Sequence, residues 1–124
     1  MKKALPFLLG VPAAAFVLIG LAWWVAPAQI AGQLGMTMLE GAALSTQIGD
    51  LGSFFFVMGA CILLALVKGD RFWFLPALML ISMAAIGRVI AWLFHDAALT
   101  LDNLAVELPV AALLAVAFKL QEPK

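Results

Sequence analysis

Charge is what this sequence has least of. Of its 124 residues, 11% are charged, where a soluble domain carries roughly 25%, so an ordinary solvated surface is excluded. Seven basic and seven acidic side chains cancel to a formal net charge of zero, and nothing suggests nucleic-acid binding through a basic face. The single cysteine, Cys61, falls inside an apolar run, which excludes an intrachain disulfide and any CxxC thiol relay. One histidine, His95, and scattered carboxylates make no metal-ligand set of recognisable spacing. Met36-Thr37-Met38 offers two thioethers, an incomplete copper site, and methionine usually serves as an adaptable apolar contact. No Gly-rich phosphate loop, nucleophile elbow or metalloprotease motif occurs. No catalytic residue and no metal ligand is therefore assigned.

What is present is hydrophobic: 66% of the residues, at a mean hydropathy of +1.14. At about 20 apolar residues per crossing, the length accommodates four short-looped transmembrane helices with no room for a separate soluble domain. The expected fold is an all-α, antiparallel four-transmembrane-helix bundle forming one domain over 1–124, with spans at about 5–25, 46–67, 71–94 and 104–120. The first span follows Lys2 and Lys3, contains a kinking Pro12 and ends in a boundary aromatic pair, Trp23-Trp24. Ala26-Pro27-Ala28 has the form of a signal-peptide cleavage site, but the apolar core exceeds the 7–15 residues of a signal, which favours retention. Between the first two spans, Ile30, Leu34, Met38 and Leu39 form the apolar edge of a short interfacial helix. Ser45 or Thr46 caps the second span and puts Asp50 in or just after its first turn. Gly49, Gly52, Ser53 and Gly59 permit close helix packing. Asp70 caps the third span, in which Pro76 marks a bend, and Asp102 or Asn103 caps the fourth, with Pro109 in its first two turns.

Six of the seven basic residues, Lys2, Lys3, Lys68, Arg71, Lys119 and Lys124, fall at the N-terminus, the second loop and the C-terminus. The positive-inside rule then places both termini in the cytoplasm. The seventh is Arg88, the one charge in an apolar run long enough to span a membrane. A guanidinium at membrane depth is costly and marks a functional site by default. With the topology above, Asp50, Arg88 and Glu107 reach one depth within the outer ~10 Å. The expected site is an outward-facing polar pocket with Arg88 between Asp50 and Glu107, and His95 and Asp96 just above. The plainer alternative is equally compatible: each charge is favoured by its own helix dipole, and an arginine-carboxylate pair can exist only to satisfy itself. His95-Asp96 is either a proton-handling pair or a wet boundary loop.

The order of Gly49-Asp50-Leu51-Gly52-Ser53-Phe54-Phe55-Phe56-Val57-Met58-Gly59, Gly87-Arg88, His95-Asp96 and Glu107 resembles a family of uncharacterised four-helix bacterial membrane proteins related to the DoxX-like superfamily. The resemblance covers most of the chain from Trp23 onward and implies a bundle in the bacterial inner (plasma) membrane. It makes Arg88 and Glu107 the positions that matter most. DoxX-like relatives include membrane subunits linked to quinone-dependent sulfur oxidation and partners of redox enzymes. Three function classes follow. The first is a non-catalytic accessory protein whose pocket binds a ligand, a lipid headgroup or a membrane partner, including a second copy of itself. The second is a subunit of a quinone-linked oxidoreductase, with quinone as its cofactor. The third is a small transporter, disfavoured by a first helix without charge and by the one-sided distribution of basic residues.

Overall fold

A computed structural model describes residues 3–122, among which the chain is helical with no strand. Five α-helices occur in order: α1 Leu5–Val25, α2 Pro27–Gln33, α3 Gly41–Lys68, α4 Phe74–Phe94 and α5 Leu101–Leu120. α1, α3, α5 and the Arg71–Phe94 stretch containing α4 are each long and apolar enough to cross a membrane, so the chain is a multi-pass membrane protein. One buried cluster joins Leu5 to Phe16 of α1, Met58 to Ala65 of α3, Phe74 to Ile81 of α4 and Val110 to Ala117 of α5. First halves of α1 and α4 thus meet second halves of α3 and α5, which makes the bundle antiparallel.

The tightest seam is α1 against α3. Along α1 the buried positions Leu5, Leu9, Ala13, Phe16, Gly20 and Trp23 recur every three or four residues, the spacing of one helical face. Glycine brings the backbones into contact: a Cβ on Gly20 would lie 2.6 Å from the Phe56 nitrogen and 2.7 Å from the Gly52 oxygen. Gly59 is likewise pressed against the Ala13 backbone. Gly49, expected to share this role, has open space around it.

The end of α1 and the connection after it differ from the sequence expectation. Trp23 is fully buried rather than at a boundary, and Ile30 and Ala31 of α2 close over it. Trp24 is the half-exposed partner and lies beside the Phe56 ring. Pro27 starts α2 at a position where a missing N–H costs nothing. Gly35 ends it in the left-handed region at φ 72°, with Met36 N–H donating to the Ala31 carbonyl and Gly35 N–H to that of Gly32, a Schellman stop. Ile30 and Leu34 do pack inward, whereas Met38 and Leu39 are exposed. The extended segment that carries them does not continue the helix, so the four do not form one edge.

α3 begins at Gly41, five residues ahead of the expected start, and neither Ser45 nor Thr46 caps it. The anchor is Gln47, buried at 5% exposure. Its Oε1 accepts from Leu39 N–H at 2.9 Å and its Nε2 donates to the Thr37 carbonyl at 3.0 Å. A side chain one turn inside the helix thus fixes the approach of the extended 36–40 segment and, with it, the point where the helix starts. At 1.5 Å per residue α3 is about 42 Å long, well beyond the ~30 Å of a hydrocarbon core.

Gly69 turns the chain after α3 at φ 68°, and Asp70 Oδ1 accepts from Phe72 N–H at 3.1 Å, the expected cap. Arg71–Trp73 is a 3₁₀ turn, so α4 starts at Phe74 and Pro76 lies in its first turn, where it starts the helix rather than bending it. α5 starts at Leu101, three residues early. Thr100 occupies the cap position, Asp102 lies in the first turn, and Pro109 is displaced to the third turn.

Candidate functional site

Arg88 stands about 20 Å along α4 from Phe74, and Glu107 about 20 Å along α5 from Leu120. In an antiparallel pair these distances bring the two to one level, about 10 Å short of the far boundary of a 30 Å core. They meet there. Arg88 Nε donates to Glu107 Oε1 at 2.7 Å, a length typical of a charge-assisted bond. Arg88 Nη1 donates to Thr100 Oγ1 at 3.2 Å. Thr100 comes to this position because the α4–α5 connection is short and α5 starts early. Its hydroxyl holds the arginine instead of capping its own helix.

The pair is not closed on itself. A guanidinium carries five N–H donors, and these two bonds engage one on Nε and one on Nη1. Three remain without a protein acceptor among the described residues, on a side chain 34% exposed. Glu107 is 13% exposed, and its Oε2 is buried with no donor. The contact is therefore single-pronged where an arginine and a carboxylate can form two parallel bonds. The pair therefore keeps three spare donors and one spare acceptor.

Asp50 does not take part. Because α3 starts at Gly41, Asp50 falls in the third turn, beyond the reach of the helix dipole. Two residues before buried Gly52, it points about 200° away from the α1 seam, is exposed and forms no ion pair with Arg88. The expected three-helix cluster is a contact between two helices and the Thr100 connection. His95, at the C-cap of α4, and Asp96, in the left-handed region at φ 56°, are exposed and do not bond to Arg88. They are the water-facing end of the helix. Nor does Arg88 line the groove of this seam. That groove lies between α4 and α5 and is lined by Ala85, Ile86, Val89, Ile90, Leu104 and Leu108, all apolar, with the ion pair on an adjoining flank of the same seam.

Around this site α4 and α5 are bare of further cover. Ala85 is the last buried residue of α4 and Val110 the first of α5. Beyond them Phe94 is 75% and Leu101 68% exposed. The second buried cluster, at the same end of the molecule, is built from α1, α2 and α3 alone. Two residues escaped the sequence reading, Thr100 and Gln47. Position of Thr100 between two charged helices at equal depth was a usable signal; Gln47 carried none beyond being polar in an apolar span.

Formal charge divides along the bundle axis. Glu40, Asp50, Asp96 and Asp102 lie toward the Arg88 end, with no lysine or arginine there beyond Arg88 among the described residues. Lys3, Lys68, Arg71 and Lys119 belong to the other end against Asp70 and Glu122; Lys2 and Lys124 lie outside the described residues. Among the described residues no group of histidine, cysteine and carboxylates is arranged to hold a metal. No protein-family model, curated protein or solved structure matches the chain.

Proposed function

We propose that this chain is an accessory membrane protein that binds a small ligand or a membrane partner at the Arg88–Glu107 seam. The carrying observation is the incomplete pairing: three N–H donors of Arg88, on a partly exposed side chain, are unspent, and so is the buried Oε2 of Glu107. A pair that existed only to fasten α4 to α5 would gain from using both prongs. As it stands, the partly exposed guanidinium can receive a group that carries acceptors, such as a carboxylate, a phosphate monoester or a carbonyl. The exposed apolar ends of α4 and α5 supply the surface on which such a molecule or a neighbouring helix rests.

The charge division supports an orientation with the basic end and both termini in the cytoplasm, which turns the Arg88 end outward. The DoxX-like resemblance supports the bacterial inner membrane as its setting. Native mass spectrometry of the chain extracted in mild detergent tests the reading. A bound species present in the wild type and lost with Arg88→Gln is expected; a bare protein in both sinks it.

A quinone-linked role has one observation in its favour. The apolar groove of Ala85, Val89 and Leu104 belongs to the same α4–α5 seam as the ion pair, so a flat ring held in it would need its carbonyl to reach Arg88. A quinone analogue that binds the wild type and not Arg88→Ala supports it, and binding indifferent to Arg88 removes it.

A further inference from the structure

The basic end of the bundle carries a second constellation that the Arg88 reading does not use. Here the α3–α4 turn is fixed to α5 from several sides. Gly69 supplies the left-handed corner, Asp70 holds Phe72 N–H, and Gln121 Nε2 donates to the Gly69 carbonyl at 2.9 Å across 52 residues of sequence. The turn so held lays Arg71 on aromatic rings. Its guanidinium carbon is 4.6 Å from the centroid of Phe118 and 5.3 Å from that of Phe72, and the two rings meet edge to face.

Stacking of this kind immobilises the planar fork, and a guanidinium is weakly hydrated, so little is lost when it takes a phosphate bidentately. Arg71 Nε is buried with no protein acceptor among the described residues. Lys119 follows Phe118 on α5 and is exposed. The acids at this end among the described residues are Asp70, whose Oδ1 accepts from Phe72 N–H, and the exposed Glu122. Phe72, 53% exposed, stands beside the guanidinium where the apolar spans stop, the level at which headgroups meet acyl chains.

We infer that this end binds the phosphodiester headgroup of an anionic phospholipid, with Arg71 gripping the phosphate, Phe72 and Phe118 holding the guanidinium, and Lys119 adding charge. A lipid is the source rather than free phosphate because the grip sits at the end of apolar spans beside an exposed aromatic ring. Basic pockets between transmembrane helices suit this recognition, at about fivefold in affinity per basic side chain near an anionic surface.

The test uses the full chain in nanodiscs of phosphatidylcholine with or without phosphatidylglycerol. Lipid retention is counted by native mass spectrometry after release into detergent, and melting is followed in both lipids. The wild type is expected to retain phosphatidylglycerol over phosphatidylcholine and to melt higher in its presence. Arg71→Gln should lower that retention about fivefold, Arg71→Lys by less, and inorganic phosphate should not displace the lipid. Because Arg71 also steadies the turn, melting in phosphatidylcholine alone registers its structural share. The difference between the two lipids registers binding, and Arg71→Lys serves where the glutamine variant does not fold. Equal retention of the two lipids by the wild type, equal retention by Arg71→Gln, or displacement by inorganic phosphate would overturn the assignment.

Discussion

The α1–α3 hairpin and the α4–α5 hairpin solve one problem, the joining of two apolar helices in an apolar solvent, by different means. Lipid tails are as apolar as leucine, so helices in a bilayer associate through close packing and polar contacts. α1 and α3 use packing: Gly20 and Gly59 lack the Cβ that would push the facing backbone away, and Gly52 makes room for the Trp24 indole. α4 and α5 share the basic-end core but have no such contact near their other end. Gly87 there has nothing within 4 Å of the Cβ it lacks, and the seam is drawn together by Arg88, Glu107 and Thr100. The membrane-spanning windows record the result, 28% and 33% buried for the first pair and 17% for each of the second. A packed seam leaves nothing over for a ligand. A polar seam with unspent hydrogen-bonding atoms does.

The contrast can be broken by one substitution in each hairpin. Gly20→Ala drives a methyl into the α3 backbone and should destabilise by about 1–3 kcal/mol, the usual cost of overpacking, read as a fall in melting temperature in detergent. Glu107→Gln weakens the charge-assisted bond that joins α4 to α5 and leaves the Arg88 charge without its counterion. A loss of about 1.5–3 kcal/mol is expected, and a double-mutant cycle with Arg88→Gln should return a coupling energy well above zero. Additive effects would show that the pair does not hold the seam.

Gln47→Ala removes two hydrogen bonds to the extended 36–40 segment, for about 1–2 kcal/mol in all. The expected signature is local: faster exchange of the Leu39 amide with little change at the Arg88 end. Last, Gly87→Ala meets open space on a helix and should stabilise by about 0.5–1 kcal/mol. Opposite signs for the same change at Gly20 and Gly87 would sharpen the comparison, and equal signs would dissolve it.

Four apolar runs of spanning length, separated by short polar stretches, are visible in the sequence because lipid leaves the backbone no alternative to a helix. The Arg88–Glu107 contact was legible for the same reason: opposite charges at matching depth on adjacent helices in an apolar span have few other partners. Asp50 matched that depth too, but depth does not fix rotation. A start at Gly41 rather than Thr46 placed it in the third turn, on the face away from the α1 seam. The start was misjudged because the cap was sought at Ser45 or Thr46, whereas the fixing contact comes from Gln47 reaching back to Thr37 and Leu39. Such contacts depend on a tertiary arrangement that periodicity does not contain. Trp23 shows the same limit, since a tryptophan at a span's end reads as a boundary residue until α2 folds over it.

Whether the unspent atoms at the α4–α5 seam serve a ligand is decided most directly by Arg88→Lys. Lysine can keep one charged bond to Glu107 but loses the remaining prongs of the guanidinium. Native mass spectrometry and a melting curve of the two proteins in the same mild detergent provide the measurement. The account predicts a near-unchanged fold with the bound species lost from the variant; the same species on both proteins, or on neither, would contradict it.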